Sequence, residues 1–537
     1  VVRLAWLDTS KRDSLFLAVA VLLSLVLYVG GLGFNSDDWS FLGKLSTSPE
    51  PHNIVSLTQS LYASAESLHP RPVQIVYLAT LYALFGTNPT GYHLVNAGVL
   101  LASAVLLYLV LRELGCARGV ALAIALVYAF LPNYSADRFW LAAAQAPLSV
   151  GLYLLSLLAD LRLVRGRHVW AWKSLSVVAL LLSGLAYELL IPFFPLSFLL
   201  TWWLEGRRFV RAHAWLLVPP NLAVLCGVVV YKLATTTRLA MNETYLQHIA
   251  YLLTGSVRAN YLTFVAGMPY LTWWSLRGGV SLSLALVAMA LAVLIGGYVY
   301  LSLVHDELPG TGRAFWLRLI AAGVLVSFWG YAIFVNNDNV VFSTTNVDTR
   351  TAIVATAGVA MFLIGCLGWI SRRVRGGKTV FSVSVAALCV YGFLVINRLA
   401  IFWEAAYQQD LSTLSEIRAQ LPTLPENTTL ILDGTCPEIG PAFVFRFNWD
   451  VTGALAMLYH DPTLKGTVAT PDRQIASSGL LIRTFRNWDA YAYGPNLLVY
   501  NTRLDEVYPL TSAESARAYF DSVASDPTCP PAFSWLR

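Results

Sequence analysis

The sequence predicts an α-helical polytopic membrane protein of about eleven spans, divided into a transmembrane part over 1–397 and a water-facing α/β domain over 398–537. Three observations predict it. Of 537 residues, 57% are hydrophobic and only 12% are charged, where a soluble chain carries about 45–50% apolar and about 25% charged residues. Mean hydropathy is +0.60. Charge is also divided along the chain: 398–537 hold 10 Lys+Arg against 15 Asp+Glu, and the other 397 residues hold 26 against 16. Such a composition excludes a single soluble enzyme and a disordered chain. The net charge of +5 sits in short basic clusters between apolar runs, a pattern of membrane topology that excludes a nucleic-acid partner and makes the bilayer the first one.

Apolar runs that could cross lie at 14–33, 92–111, 119–132, 140–160, 174–189, 190–204, 214–232, 279–304, 315–335, 351–370 and 379–397. The stretch 174–204 exceeds one crossing, and Pro192 and Pro195 offer the turn that splits it. Segment 72–87 is apolar and helical in period but short for a span. Loop charge places it. If it lies on the outer interface, six basic loops share one side: Arg3/Lys11/Arg12, Arg112/Arg118, Arg162/Arg165/Arg167/Lys173, Arg207/Arg208/Arg211, Arg313/Arg318 and Arg372/Arg373/Arg375/Lys378. They hold 18 of the 26 basic residues of this part, in loops short enough for the positive-inside rule. The N-terminus is then cytoplasmic, the C-terminal domain extracytoplasmic, and the chain a multi-pass protein of the plasma membrane. The run 14–33 is long for a signal peptide and lacks a small-residue cleavage site, so it reads as the first span. Cys436 and Cys529 are the two cysteines of the exported domain, where a disulfide is open to them. No metal-ligand spacing occurs.

The outward loops collect the remaining ionisable groups. Loop 34–91 begins Phe34-Asn-Ser-Asp37-Asp38-Trp39, two adjacent carboxylates flanked by aromatics. One could serve as general base while its neighbour tunes it, since close like charges push pKa values apart. The same residues would also suit a helix start. His69-Pro70-Arg71-Pro72 follows an amphipathic stretch at 54–66. Arg71 could hold a phosphate or snorkel. The second loop carries Asp137 and Arg138, either an active-site acid or a surface ion pair. Tyr187-Glu188 lies near the outer end of its span, and an acid in an apolar helix is a functional candidate by default. The bland alternative is a hydrogen bond to Tyr187 or a neighbouring helix. Loop 233–278 is rich in Tyr and Trp, and polar loop 336–350 ends on Arg350, which could meet a lipid phosphate or an ordinary headgroup.

Taken together these residues resemble the GT-C superfamily of polytopic glycosyltransferases, which includes protein O-mannosyltransferases, the aminoarabinose transferase of lipid A and mycobacterial arabinosyltransferases. Asp37-Asp38-Trp39 resembles its acidic motif in the first external loop. His69-Pro70-Arg71-Pro72 and Leu84-Phe85-Gly86 resemble the juxtamembrane helix, and Tyr92-His93-Leu94-Val95-Asn96 the start of the next span. Leu131-Pro132 to Asp137 resembles the second loop with its own acid, and Leu185-Ala-Tyr187-Glu188 with Pro192 the later acidic span. The likeness is good over about 14–204 and only architectural beyond. Asp-Asp stands where several members have Asp-Glu, and Tyr187 where a Lys often precedes the later acid.

The resemblance implies an inverting glycosyltransferase that moves a sugar from a polyprenyl-phosphate donor to a hydroxyl of a protein, glycan or lipid acceptor on the extracytoplasmic face. It implies Asp37, Asp38 and Asp137 as catalytic acids. Arg71, Arg350 and Arg138 are then the cations for the donor phosphate, with Lys232 behind them, and Glu188, Trp39, His69 and Tyr187 are the substrate contacts. Some members bind a divalent metal and others do not. The alternative is a lipid or sugar transporter or flippase, which would need ionisable groups near the midplane with broken helices or an internal repeat. In the exported domain, 398–419 continues the last span as an amphipathic helix, 427–434 and 497–500 read as strands, and 511–521 as a short helix.

Overall fold

The computed structural model describes residues 2–165, 168–236, 244–277, 280–305, 312–336, 340–485, 487–523 and 529. Arg167 and residues 337–339 of the polar loop lie outside them.

Helix α1 (Val2–Leu25) leads through a turn into α2 (Asp37–Ser46) and α3 (Ile54–Ser64). Asn53 caps α3, accepting from the backbone N–H groups of Val55 and Ser56. α4 (Pro72–Phe85) opens on proline and closes at Gly86, whose φ of 55° suits a residue without Cβ. Its 14 residues reach roughly 21 Å, short of a bilayer core of about 30 Å. Then come α5 (Pro89–Glu113), α6 (Arg118–Phe130), the single turn α7 (Ala136–Phe139), α8 (Gln145–Arg165) and α9 (Val169–Ala186). A 3₁₀ stretch over Glu188–Phe193 holds Pro192 and leads into α10 (Leu196–Thr235). α11 (Tyr245–Tyr261), α12 (Met268–Arg277), α13 (Leu282–His305), α14 (Arg313–Trp329), α15 (Ile353–Ser371) and α16 (Gly377–Gln420) complete the helical part.

Among the described residues, seven helical stretches are long and apolar enough to cross a membrane: Pro89–Glu113, Leu141–Leu163, Val169–Ala186, Ala214–Thr235, Leu282–Val304, Val347–Ser371 and Gly377–Gln420. The expected count of eleven is not reached. The physical reason is length. The run expected at 119–132 forms the 13-residue α6, that at 315–335 the 17-residue α14, and that at 14–33 leaves the helix after Leu25. α10 is helical throughout, yet Asn221 Nδ2 donates to Ser197 Oγ at 3.0 Å. A straight helix would set residues 24 apart roughly 36 Å from each other, so the segment doubles back between them. Large side chains such as Leu15, Trp170, Trp203, Leu282, Val293 and Leu325 stand exposed on the helices, the surface that lipid would cover.

α16 passes unbroken through Arg398 into the C-terminal part. There β1 (Thr429–Asp433) precedes the short pair β2 (Glu438–Ile439) and β3 (Ala442–Phe443), then α17 (Asn448–Tyr459). β4 (Lys465–Val468), β5 (Arg473–Ile475), β6 (Gly479–Thr484), β7 (Asn487–Ala492), β8 (Leu497–Asn501), β9 (Glu506–Pro509) and α18 (Ala513–Ser522) follow. The main sheet runs β4-β1-β8-β9, with β1 parallel to both neighbours and β9 antiparallel to β8. β5-β6-β7 form an antiparallel sheet beside it. A disulfide joins Cys436 to Cys529.

The domain is docked onto the transmembrane part through α17 and α2, which cross glycine on glycine. A Cβ on Gly43 would lie 2.4 Å from the Gly453 carbonyl oxygen, and one on Gly453 would lie 2.2 Å from the Trp39 carbonyl oxygen. Trp39 Nε1 donates to Asp410 of α16, whose other oxygen accepts from the Phe445 amide. This crossing carries a side chain of the domain into the candidate site.

Candidate active site

The end of the helical bundle that bears the domain gathers several separate chain segments. The first is the start of α2. Ser36, immediately before it, takes a φ of 49°, an unfavourable conformation for a residue with a side chain. It sends Asp37 and Asp38 in different directions. Asp38 is buried, and its carboxylate accepts from the backbone N–H groups of Asn35 (3.0 Å), Ala142 (2.7 Å) and Leu141 (3.4 Å). It clamps the first loop to the second. Asp37 is half-buried, and among the described residues its one hydrogen bond comes from Trp449 Nε1 at 2.7 Å.

The second segment is the loop that follows α6. Asp137 is fully buried and neither of its oxygens has a hydrogen-bond partner among the described residues. Arg138 points the other way: it donates to the Ala129 carbonyl and to the Tyr134 hydroxyl, and its guanidinium lies 5.1 Å from the Tyr134 ring. It is a buried cation whose two hydrogen bonds both come from Nη2, with Nε left without a partner among the described residues, and neither bond reaches Asp37. Trp140 ties the loop down by donating to the Asn35 carbonyl. Gln74 on α4 donates to the Ala142 carbonyl.

The third and fourth segments meet through an ion-pair cluster. Arg71 grips Glu188 with two nitrogens, Nη2 to Oε1 at 2.7 Å and Nε to Oε2 at 3.3 Å. Lys232, from the end of α10, donates to Glu188 Oε2 at 3.1 Å and to the Pro70 carbonyl. Arg71 also lies 4.5 Å over the Tyr187 ring. Two cations share one carboxylate, so the cluster keeps a net positive charge, and Arg71 and Glu188 retain about a quarter of their side-chain exposure. The fifth segment brings Arg350. Thr349 beside it accepts from the Ala136 amide, joining this loop to the second. The guanidinium of Arg350 sits 4.8 Å from the Trp140 ring centroid. Among the described residues it forms no ion pair.

Electrostatics separate the three acids. Burial pushes Asp37 upward from the usual carboxylate range, opposed by Arg350, the Trp449 hydrogen bond, Lys44 and Arg71. Burial pushes Asp38 well up, against its backbone hydrogen bonds. Asp137 is driven well up by burial, with Arg350 and Arg138 opposing. Of the three, Asp37 alone combines access to solvent with a nearby positive field and a carboxylate that has taken only one donor.

The structure therefore brings Asp37, Arg71, Glu188, Tyr187 and Arg350 to one end of the bundle, with Asp38 and Asp137 beneath them. Trp39 and His69 have fold partners of their own. Trp39 is buried, with its indole bonded to Asp410. The His69 ring stacks on Tyr62, and its Nε2 contacts the Tyr62 carbonyl. Trp449, Trp140 and Lys44 were not foreseen. Among the described residues no group of three or more His, Cys, Asp or Glu side chains is placed to hold a metal ion, so no step is routed through one.

No family model matches the chain, and no curated protein does. Among solved structures it is similar to ArnT from Cupriavidus metallidurans bound to undecaprenyl phosphate, at 14% identity and a TM-score of 0.37, covering 85% of this chain and 86% of that one. The apo form of that protein gives 15% and 0.40 over 88% and 87%. The Archaeoglobus fulgidus oligosaccharyltransferase tethered to an acceptor peptide gives 12% and 0.40, over 84% of this chain and 63% of that one. Both are GT-C glycosyltransferases. The chemistry has to come from this chain's own side chains.

Proposed function

We propose that the chain is an inverting glycosyltransferase that moves a sugar from a polyprenyl-phosphate donor to an acceptor hydroxyl on the extracytoplasmic side. The observation that supports this best is the pairing of Asp37, an accessible carboxylate with a single hydrogen bond, with a surplus of cations at Arg350 and at Arg71–Glu188–Lys232. A base alone would not suggest transfer from a phosphate, and cations alone would suggest only headgroup binding.

In this reading Asp37 takes the proton of the acceptor hydroxyl as its oxygen attacks the anomeric carbon. The bond from that carbon to the phosphate oxygen breaks on the opposite face, which inverts the centre. Arg350 and Arg71 stabilise the charge that grows on the departing polyprenyl phosphate. Tyr187 and Glu188 hold Arg71 in place as positioning residues. Asp38 fixes the base by clamping its loop, and Asp137 lies buried within reach of the Arg350 charge. The Cys436–Cys529 bridge supports an oxidising, extracytoplasmic setting for the domain. The testing experiment gives purified protein a radiolabelled polyprenyl-phosphate sugar and compares wild type with Asp37→Asn. Loss of transfer with donor binding retained supports the assignment. Undiminished transfer in the variant removes Asp37 from the role.

A further inference from the structure

Between α2, α3 and α17 the structure holds a cavity of about 710 Å³, open to one side and lined by parts of both the transmembrane region and the exported domain. The proposed mechanism does not use it. One wall is Trp449, whose indole N–H is bonded to Asp37, so the cavity adjoins the base across a single side chain. Its lining sets polar groups into a largely apolar surface. Ser40, Thr47, Thr452 and Asn448 offer hydroxyl and amide groups, and Lys44 and Lys465 stand at its edge with no carboxylate among the lining residues. Neither lysine is in an ion pair among the described residues. Lys44 is close enough to Asp37 for their charges to interact.

From these features the geometry points to an acceptor subsite for an anionic carbohydrate, a sugar bearing a phosphate or carboxylate. Hydroxyl-rich walls match a hydroxyl-rich ligand, an indole face suits the apolar face of a pyranose, and two unpaired lysines supply the charge that an anionic substituent needs. The volume is that of a typical small-molecule site and accommodates one to a few sugar units. The inference rests on the glycosyltransferase reading and narrows it, because it assigns the acceptor's class. It also gives the exported domain a task, since α17 together with Pro462 and Lys465 supplies about half of the lining residues. An acceptor seated there would present a hydroxyl past Trp449 toward Asp37.

The test uses the full chain in nanodiscs, without donor, titrated with glucose 6-phosphate and with glucose by saturation-transfer NMR and calorimetry. The expected result is binding of glucose 6-phosphate about tenfold tighter than glucose, lost in Lys44→Gln/Lys465→Gln and kept in Asp37→Asn. Lys465 is exposed, so Lys465→Gln alone is folded and should weaken the phosphate-dependent part even if the double variant is unstable. Equal binding of the two sugars overturns the proposal, as does phosphate-dependent binding that survives Lys465→Gln and the double variant. The two levels fail separately. A chain that binds glucose 6-phosphate in this way but never transfers sugar from a polyprenyl donor keeps the subsite and loses the glycosyltransferase reading.

Discussion

The two ends of the helical bundle differ in how many of their acids lack partners. At the end away from the domain, the acids that meet a cation among the described residues are held by hydrogen bonds. Asp13 accepts two nitrogens of Arg118 and the hydroxyls of Tyr108 and Tyr298. Asp160 accepts from Lys173 and Asn221, and Glu113 from Arg162. At the domain-bearing end Asp37 has one donor, Asp137 has none, and Arg350 has an aromatic face in place of a carboxylate. A buried charge without a partner is costly, and a fold that keeps several together is holding them for something other than stability. On the proposed glycosyltransferase reading, the same residue types serve as fasteners at one end and as reagents at the other.

Substitution should separate the two behaviours cleanly. The largest effect falls on Asp37. Asp37→Asn should cut the transfer rate by about 10²–10⁴-fold, the usual contribution of a general base, with the thermal midpoint nearly unchanged. Activity assays beside a melting curve read both. At the other end, Arg118→Ala should do the reverse. It leaves Asp13 buried and uncompensated at a cost of about 3–5 kcal/mol, visible as a lower midpoint in detergent, while the molecules that stay folded keep their turnover.

Arg350→Gln comes next, with an expected loss of about 10²-fold in kcat and a smaller effect on stability, because no ion pair is broken. A large fall in the midpoint with normal kcat would move Arg350 to the fastener class. The smallest effect is expected from Trp449→Phe, which keeps the stacking on Phe447 and removes one hydrogen bond to a charged group. The sign of its pH dependence follows from Asp37. The base must be ionised, so activity is lost as pH falls through its pKa. Burial already raises that pKa, which sets the acid limb above the normal aspartate range. Removing a donor to the charged form should raise it further, by about one pH unit. A limb that does not move, or moves down, would show that Trp449 does not tune the base.

Composition and loop charge made the membrane class legible, and adjacent acids after an apolar run marked the loop on which the proposed site is built. The residues could not rank Asp37 against Asp38, because the ranking depends on which amides the folded second loop presents: Leu141 and Ala142 lie more than a hundred residues away. Arg138 and Arg350 were equally plausible as outward arginines. Only the packing of Tyr134 and the Ala129 carbonyl around Arg138 retires it from the surface. Trp449 was illegible for the same reason, sitting 412 residues from its partner with no local pattern to mark it. The count of eleven spans is not reached among the described residues where helices are shorter than their apolar runs, and the meeting of the two ends of α10 shows in the Ser197–Asn221 contact and the packing of Phe198 on Leu217.

The most direct measurement is a single-turnover assay with a labelled polyprenyl-phosphate sugar, in which donor binding and product are read from the same sample for wild type and Asp37→Asn. The arrangement of Asp37 against Arg71 and Arg350 predicts that both proteins bind the lipid and only wild type forms inverted glycoside. Wild type that binds no such lipid, or Asp37→Asn that turns over at the wild-type rate, would contradict it.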